Sequence, residues 1–167
     1  VGLNGVGTKA VNALSCYFLV RSHRDGEFAE AEFESGNLVR QESGRTDEPN
    51  GTFVAFSPDP EIFKSFSFDE EHLARRLRFY AYLNAKLKIY FNGELFHCKG
   101  GLLDLIRDES QYEKIYPPFQ YADSTLEFAF THTNRFSEEY YSFVNGQFTS
   151  DGGTHLSAFR EGLLRGI

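Results

Sequence analysis

The sequence has few cysteines, no run of basic residues and no long apolar segment, and each absence argues against a class of protein. Its two cysteines, Cys16 and Cys98, are far apart and match no metal-ligand spacing, which favours free thiols in a reducing cytoplasm over a disulfide. The net charge is −7, and a primary nucleic-acid clamp would instead need a basic face. No stretch approaches the roughly 18 apolar residues of a membrane span.

Methionine and tryptophan are absent, whereas phenylalanine occurs 18 times and tyrosine nine times in the 167 residues. Because the initiator methionine is missing and Val1 stands inside a motif, we expect a piece of a longer protein. A chain of this length can build one good core, or two small modules that share an interface.

The first stretch of the chain is rich in glycine and leads into a helical pattern. Gly2, Gly5 and Gly7 allow a backbone to approach a ligand closely, because no Cβ intervenes. The apolar residues at 10, 11, 13 and 14 have the spacing of an amphipathic helix. A glycine loop at a helix N-terminus suits phosphate, although a plain helix-capping turn explains the same pattern. It is not a Walker A loop, since no Gly-Lys-Ser/Thr follows.

Alternating patterns and turn residues predict a run of strands after this helix. We expect strands at 17–22, 27–34, 38–41 and 51–56, with an Asp25-Gly26 hairpin turn and a polar loop at 43–50. The glutamates of 27–34 alternate with apolar residues, which predicts a half-buried strand with a solvated acidic face.

The second part of the chain alternates helices and hairpins. We expect helices at 70–83, at 102–107 and after Thr154, a hairpin around Asn92-Gly93, and antiparallel strands at 125–133 and 139–145. The longest helix should bury a stripe of four residues, namely Leu73, Leu77, Tyr80 and Ala81. The polar segment 108–116 is where hydrophobic periodicity lapses, and it is the local signal for a domain boundary.

Few side chains indicate catalysis. The five histidines are scattered, none has a metal-ligand spacing, and no carboxylate pair stands out as a general acid and base. We therefore assign no catalytic and no metal-binding residue. His155 follows two glycines at a helix start, where it could meet a ligand, but fixing the turn is the better-supported role.

Four separated motifs resemble the B subunit of bacterial type IIA DNA topoisomerases, the gyrase and topoisomerase IV family. Gly2-Leu3-Asn4-Gly5-Val6-Gly7, followed by Val11-Asn12-Ala13-Leu14-Ser15, is similar to the end of the family's ATP lid, G-L-H-G-V-G-x-x-V-V-N-A-L-S. Gly51-Thr52-Phe53-Val54-Ala55-Phe56-Ser57-Pro58-Asp59 is similar to G-T-x-V-x-F-x-P-D. Two further matches lie at 73–84 and 142–160, the latter containing Gly152-Gly153-Thr154-His155.

The resemblance implies an α+β fold. Residues 1–98 would form the second half of a GHKL-type α/β sandwich, in which a mixed sheet is backed by helices. Residues 99–167 would begin a transducer domain, a sheet with helices on one face that relays the nucleotide state to the DNA-cleaving core. The implied activity is that of an ATP-dependent type II DNA topoisomerase, with ATP and Mg²⁺ as cofactors.

The resemblance also assigns site residues. The ATP phosphates would be held by the lid-end motif, which comprises Leu3, Asn4, Gly5, Val6 and Gly7. Thr52 would lie in the adenine pocket. The family usually has His where this chain has Asn4, and the choice between gyrase and topoisomerase IV stays open.

Several family features fall outside this sequence. The family's catalytic glutamate and Mg²⁺-binding asparagine lie upstream, and the transducer lysine lies downstream, so we expect the 167 residues alone to be inactive. The implied partners are DNA, the A subunit of the enzyme, and a second B subunit that dimerises on ATP binding, in the bacterial cytoplasm and without a membrane. A non-catalytic adaptor or another GHKL ATPase are the alternatives.

Overall fold

A computed structural model describes residues 5–166, which divide into two compact units. The first unit ends at Phe68 and the second begins at Asp69. This geometric division lies nearer the start of the chain than the predicted domain boundary between 98 and 99. The assignment of 1–98 and 99–167 to two functional domains stays a prediction.

The first unit consists of one helix and a four-stranded antiparallel sheet. Helix α1 is Val6–Ala13, and the strands are β1 Ser15–Arg24, β2 Glu27–Glu34, β3 Asn37–Arg45 and β4 Gly51–Pro58. The strand order is β3-β2-β1-β4, so that β3 and β4 form the edges. All four predicted strands are present, but β3 runs to Arg45 and so includes residues that were predicted to form a loop.

Two tight turns set the pairing of β1, β2 and β3. Asp25-Gly26 and Ser35-Gly36 all have positive φ values, as the two-residue turns that match strand twist require. The Asp25-Gly26 hairpin is therefore confirmed. Residues paired across an antiparallel ladder share a face, so one face carries Phe18, which is buried, beside its partners Phe33 and Phe56.

The other face of this sheet corrects the predicted solvated acidic face of β2. Glu30, at the middle of β2, is only 4% exposed. It is enclosed by the side chains of Arg21 on β1 and Arg40 on β3. The alternating pattern indicates which face the glutamates share, but burial on that face depends on the long arginine side chains of the neighbouring strands.

The second unit contains three helices and three two-stranded hairpins within the described residues. The helices are α2 Glu70–Leu83, α3 Leu102–Glu109 and α4 Thr154–Gly166. The hairpins are β5 Ile89–Phe91 with β6 Glu94–Phe96, β7 Phe119–Ala122 with β8 Glu127–Phe130, and β9 Phe143–Val144 with β10 Gln147–Phe148. With the first unit, these elements confirm the predicted α+β class.

Helix α2 begins where the sequence predicts, but a different side of it is buried. The Asp69 carboxylate accepts a hydrogen bond from the His72 N–H at 2.9 Å, which caps the helix. Phe79, Ala81 and Tyr82 are the buried residues of α2. The prediction that Tyr80 is buried is wrong, because its side chain is 38% exposed.

The strand pairing predicted for the last third of the chain is also wrong. Strand β8 pairs with β7, and the short β9 pairs with β10 through the Asn145-Gly146 turn, where both residues have positive φ. Residues 125–133 and 139–145 are thus halves of two different hairpins. The Asn-Gly dipeptide is the sequence signal that would have indicated the second hairpin.

The β7–β8 turn is closed by the carboxylate of Asp123. Its Oδ1 accepts hydrogen bonds from the Thr125 N–H at 2.7 Å and the Leu126 N–H at 2.8 Å, and its Oδ2 accepts one from the Tyr121 hydroxyl. These bonds, led by that from the Thr125 N–H, lower the pKa of Asp123 from 3.8 to about 2. Because the folded pKa is depressed, the turn is stabilised above the unfolded pKa, and that stabilisation is lost as pH falls through the folded value.

We accordingly expect the β7–β8 turn to resist acid down to about pH 2. The amide chemical shifts of Thr125 and Leu126 should titrate with a midpoint near 2. In Asp123→Asn, which keeps an oxygen acceptor but cannot ionise, this titration should disappear. A midpoint near the ordinary value of 3.8 would show that the carboxylate does not receive these hydrogen bonds in solution.

Candidate functional site

The glycine loop leads directly into α1, as the sequence predicts. Gly5 is the N-cap residue of the helix and has φ 61°, in the left-handed region that favours glycine. No side chain caps the helix there. The first N–H groups of an α-helix lack intrahelical acceptors, so the amides that follow Gly5 are directed at whatever lies beyond the N-terminus.

The space around this helix start is open within the described residues. A Cβ added at Gly5 or Gly7 would find no atom within 4 Å, and the side chain of Val6 is exposed. Unpaired amides and the positive end of the helix dipole together favour an anion at this position. Leu3 and Asn4, the other two predicted phosphate-binding residues, lie outside the described residues.

Thr52 lies on the edge strand β4, opposite Ser22 of β1. It is exposed, as a residue that contacts a ligand must be. Pro58, at the other end of β4, pairs with Ser15, which follows α1. Six residues of extended strand correspond to about 20 Å. Thr52 is thus far along β4 from the end next to the C-terminus of α1, and its place beside a ligand stays a prediction.

The ion cluster around Glu30 is the main feature that the sequence prediction missed. Arg40 contacts Glu30 at 2.5 Å and Glu32 at 3.0 Å, and Arg21 pairs with Glu30 from the other side. The hydrogen bond from Arg40 to Glu32, and then the charge of Glu30, raise the pKa of Arg40. Because both arginines are paired with glutamates, the group is a strand-locking cluster rather than an open anion site.

His155 fixes a turn, which confirms the role preferred from the sequence. Its Nε2 lies 2.6 Å from the Oγ of Ser142, a residue that is largely buried. Thr149 completes the arrangement, with its hydroxyl 2.8 Å from the same Oγ and 3.0 Å from the Ser142 carbonyl oxygen. These bonds connect the start of α4 to the β9–β10 hairpin.

The remaining polar groups indicate no second centre in the part of the chain that the structure describes. Cys16 and Cys98 are free thiols, as predicted. Burial, followed by the charge of Asp104, raises the pKa of Cys98, which disfavours the reactive thiolate. Among residues 5–166, no three or more His, Cys, Asp or Glu side chains come together in a way that could hold a metal ion. No helix in that range is long and apolar enough to cross a membrane.

Comparison with known proteins identifies the family. The family model described as DNA gyrase B matches residues 81–167, which is more than half of the chain. The chain belongs to the DNA gyrase B family. The resemblance inferred from the four motifs is therefore confirmed.

Two curated members of the family match nearly all of this chain. It is 51% identical to the B subunit of DNA topoisomerase 4 from Borreliella burgdorferi over 168 aligned residues, which cover 100% of this chain and 28% of that protein. It is 38% identical to the B subunit of DNA gyrase from Campylobacter jejuni, over 99% of this chain and 23% of that protein. The chain thus spans about a quarter of the length of these gyrase B family relatives.

A solved member of the gyrase B family has the same fold. The 43K ATPase domain of Thermus thermophilus gyrase B, crystallised in complex with an aminocoumarin, matches with a TM-score of 0.81 and 33% identity. The match covers 97% of this chain and 48% of that one. The predicted relation of the fold to the gyrase B ATPase region is thereby confirmed.

Proposed function

We propose that this chain is part of the ATP-operated region of a type II DNA topoisomerase B subunit. The observation that carries the proposal is similarity along the whole chain, at 51% identity, to a protein named as one of the two kinds of topoisomerase subunit. The fold match to a gyrase B ATPase domain supports it independently of that sequence alignment. In such a protein, ATP binding and hydrolysis would be coupled to the passage of one DNA duplex through another.

The glycine loop and α1 would bind the ATP phosphates. In this proposal the backbone N–H groups of Gly5, Val6 and Gly7 donate hydrogen bonds to phosphate oxygens, next to Leu3 and Asn4. The left-handed Gly5 and the open helix start support this role, because both are needed for a phosphate to approach the amides. The Thr52 hydroxyl would join the hydrogen bonds around the adenine.

Hydrolysis would require groups that the sequence motifs of this chain do not include. We propose that a longer protein supplies the catalytic glutamate, the Mg²⁺-binding asparagine and the lysine that reaches the γ-phosphate. The described residues offer no metal cluster of their own, so we assign no step through Mg²⁺ to this chain. The 167 residues alone would not hydrolyse ATP.

The partners follow from the same proposal. The longer protein would bind DNA and the A subunit of the enzyme, and two B subunits would dimerise when ATP binds. The domain assignment, with an ATPase part at 1–98 and a transducer part at 99–167, belongs to this proposal, as does a location in the bacterial cytoplasm.

The direct test is DNA strand passage by the longer protein that contains this chain. Mixed with the A subunit of the enzyme and a supercoiled or interlinked plasmid, it should change DNA topology only when ATP and Mg²⁺ are present. Omission of ATP or of the A subunit should abolish strand passage. Nucleotide binding without any change in DNA topology would contradict the proposal and would favour the non-catalytic adaptor.

A further inference from the structure

Helix α1 is held at its C-terminal end. Every described residue from Gly5 to Val11 is exposed, whereas Ser15, directly after the helix, is 2% exposed. The glycine loop therefore stands at the outer end of a short helix, within the described part of the chain. Its position is set by whatever fixes the inner end.

Three hydrogen bonds fix that inner end. The Ser15 hydroxyl donates to the Val11 carbonyl oxygen at 2.6 Å. The Ser15 carbonyl oxygen accepts from the Ser35 N–H at 3.1 Å, and the Leu14 carbonyl oxygen accepts from the Asp59 N–H at 3.0 Å. The last turn of α1 is thus connected both to the β2–β3 turn and to the residue that follows β4.

The β2–β3 turn also packs against the helix. Gly36 has φ 80°, and a Cβ built on it would lie 3.4 Å from the Cα of Ala13. A larger residue at this position would be strained and would press on the last turn of α1. Gly26, in the equivalent position of the β1–β2 turn, has φ 83°, but its nearest neighbour is a carbonyl oxygen of Thr46 at 4.0 Å, away from α1.

Small movements at the inner end are amplified at the loop. Eight helical residues span about 12 Å, so a tilt of about 5° about the inner end displaces the first turn by about 1 Å. A shift of that size exceeds the tolerance of a hydrogen bond from an N–H group to a phosphate oxygen. The anchors of α1 can therefore control phosphate binding without touching the phosphate.

We propose that Ser15 and Gly36 are positioning residues for the glycine loop. This inference rests on the proposed function, because it assumes that the loop binds phosphate. Ser15 acts through its hydrogen bond to Val11, and Gly36 acts through its contact with Ala13. Neither residue contacts the nucleotide in this account.

The test compares two ligands and three variants in the longer protein that contains this chain. The ligands are a non-hydrolysable ATP analogue with Mg²⁺ and adenosine, which has no phosphate. The variants are Ser15→Ala, Gly36→Ala and the control Gly26→Ala, and the measurement is the Kd by calorimetry. Gly36→Ala and Gly26→Ala impose similar backbone strain, but only Gly36 contacts α1.

Ser15→Ala and Gly36→Ala should each weaken binding of the ATP analogue about three- to ten-fold and leave adenosine binding unchanged, because one modest interaction is lost. Gly26→Ala should change neither. An equal effect of Gly36→Ala and Gly26→Ala, or an equal loss of adenosine and analogue binding, would overturn the inference. If the unmodified protein binds the analogue no more tightly than adenosine, the proposed phosphate site itself fails. The glycine pair decides the matter should Ser15→Ala not fold.

Discussion

Replacing Phe79 by alanine is expected to lower the free energy of unfolding of the second unit by about 3–5 kcal/mol, the usual range for truncating a buried aromatic residue. Phe79 is 4% exposed and forms a core cluster with Tyr82 and Leu105. Its ring stacks on Phe148 with centroids 5.1 Å apart and meets Phe143 edge-on at 5.6 Å. The loss would therefore remove both apolar burial and specific ring contacts.

The neighbouring Tyr80 supplies the control. Tyr80→Ala lies on the same helix but removes a side chain that is 38% exposed, so the loss should stay near 1 kcal/mol or so, about the typical cost of a point mutation. Phe79→Leu should recover most of the stability, because it refills much of the space. Urea unfolding followed by tyrosine fluorescence reports on this unit, since all the tyrosines except Tyr17 lie after Asp69. Equal effects of Phe79→Ala and Tyr80→Ala would contradict the described core.

Glu30→Gln is expected to destabilise the first unit by about 1–3 kcal/mol, which is the range for a hydrogen bond to a charged group. The change removes the negative charge that Arg21 and Arg40 share. Both arginine side chains are about half exposed, so water can solvate them once the carboxylate is gone. The loss therefore stays below the roughly 3–5 kcal/mol that is typical when an unpaired charge is left buried.

The control for Glu30 is Glu34→Gln at the exposed end of the same strand. This substitution should change the stability by less than about 0.5 kcal/mol. Amide hydrogen exchange in β1, β2 and β3 measures the effect in this unit alone. Equal exchange rates in Glu30→Gln and Glu34→Gln would show that the cluster does not stabilise the sheet.

The sequence predicts local elements better than it predicts their partners. Asp69 caps α2 as expected, because capping depends on residues within one turn. Which side of α2 is buried depends on Phe143 and Phe148, more than sixty residues away, which pack on Phe79 and leave Tyr80 exposed. Periodicity on the helix alone carries no record of that contact.

The ion cluster could be predicted only in part. A two-residue turn at Asp25-Gly26 places Arg21 opposite Glu30, so this pair follows from the turn. The register between β2 and β3 shifts between Glu32 and Phe33, and the turn at Ser35-Gly36 therefore does not predict that Arg40 lies opposite Glu32. No residue pattern in either strand indicates that irregularity.

The candidate site depends on the family more than on local chemistry. From residues alone, the glycine loop is compatible with a capping turn as well as with a phosphate site, and Thr52 carries no signal. The motifs supply both assignments. The structure adds the left-handed Gly5 and the open helix start, whereas Leu3 and Asn4 lie outside the described residues.

The central claim is that the amides at the start of α1 bind the phosphates of ATP, and the most direct test is calorimetry with a non-hydrolysable ATP analogue and Mg²⁺. The longer protein that contains this chain should bind the analogue, and Gly5→Ala should weaken binding about five- to thirty-fold, because alanine in the left-handed conformation costs about 1–2 kcal/mol. Gly162→Ala, inside α4 with open space around it, should bind like the unmodified protein. Unchanged affinity in Gly5→Ala would contradict the account.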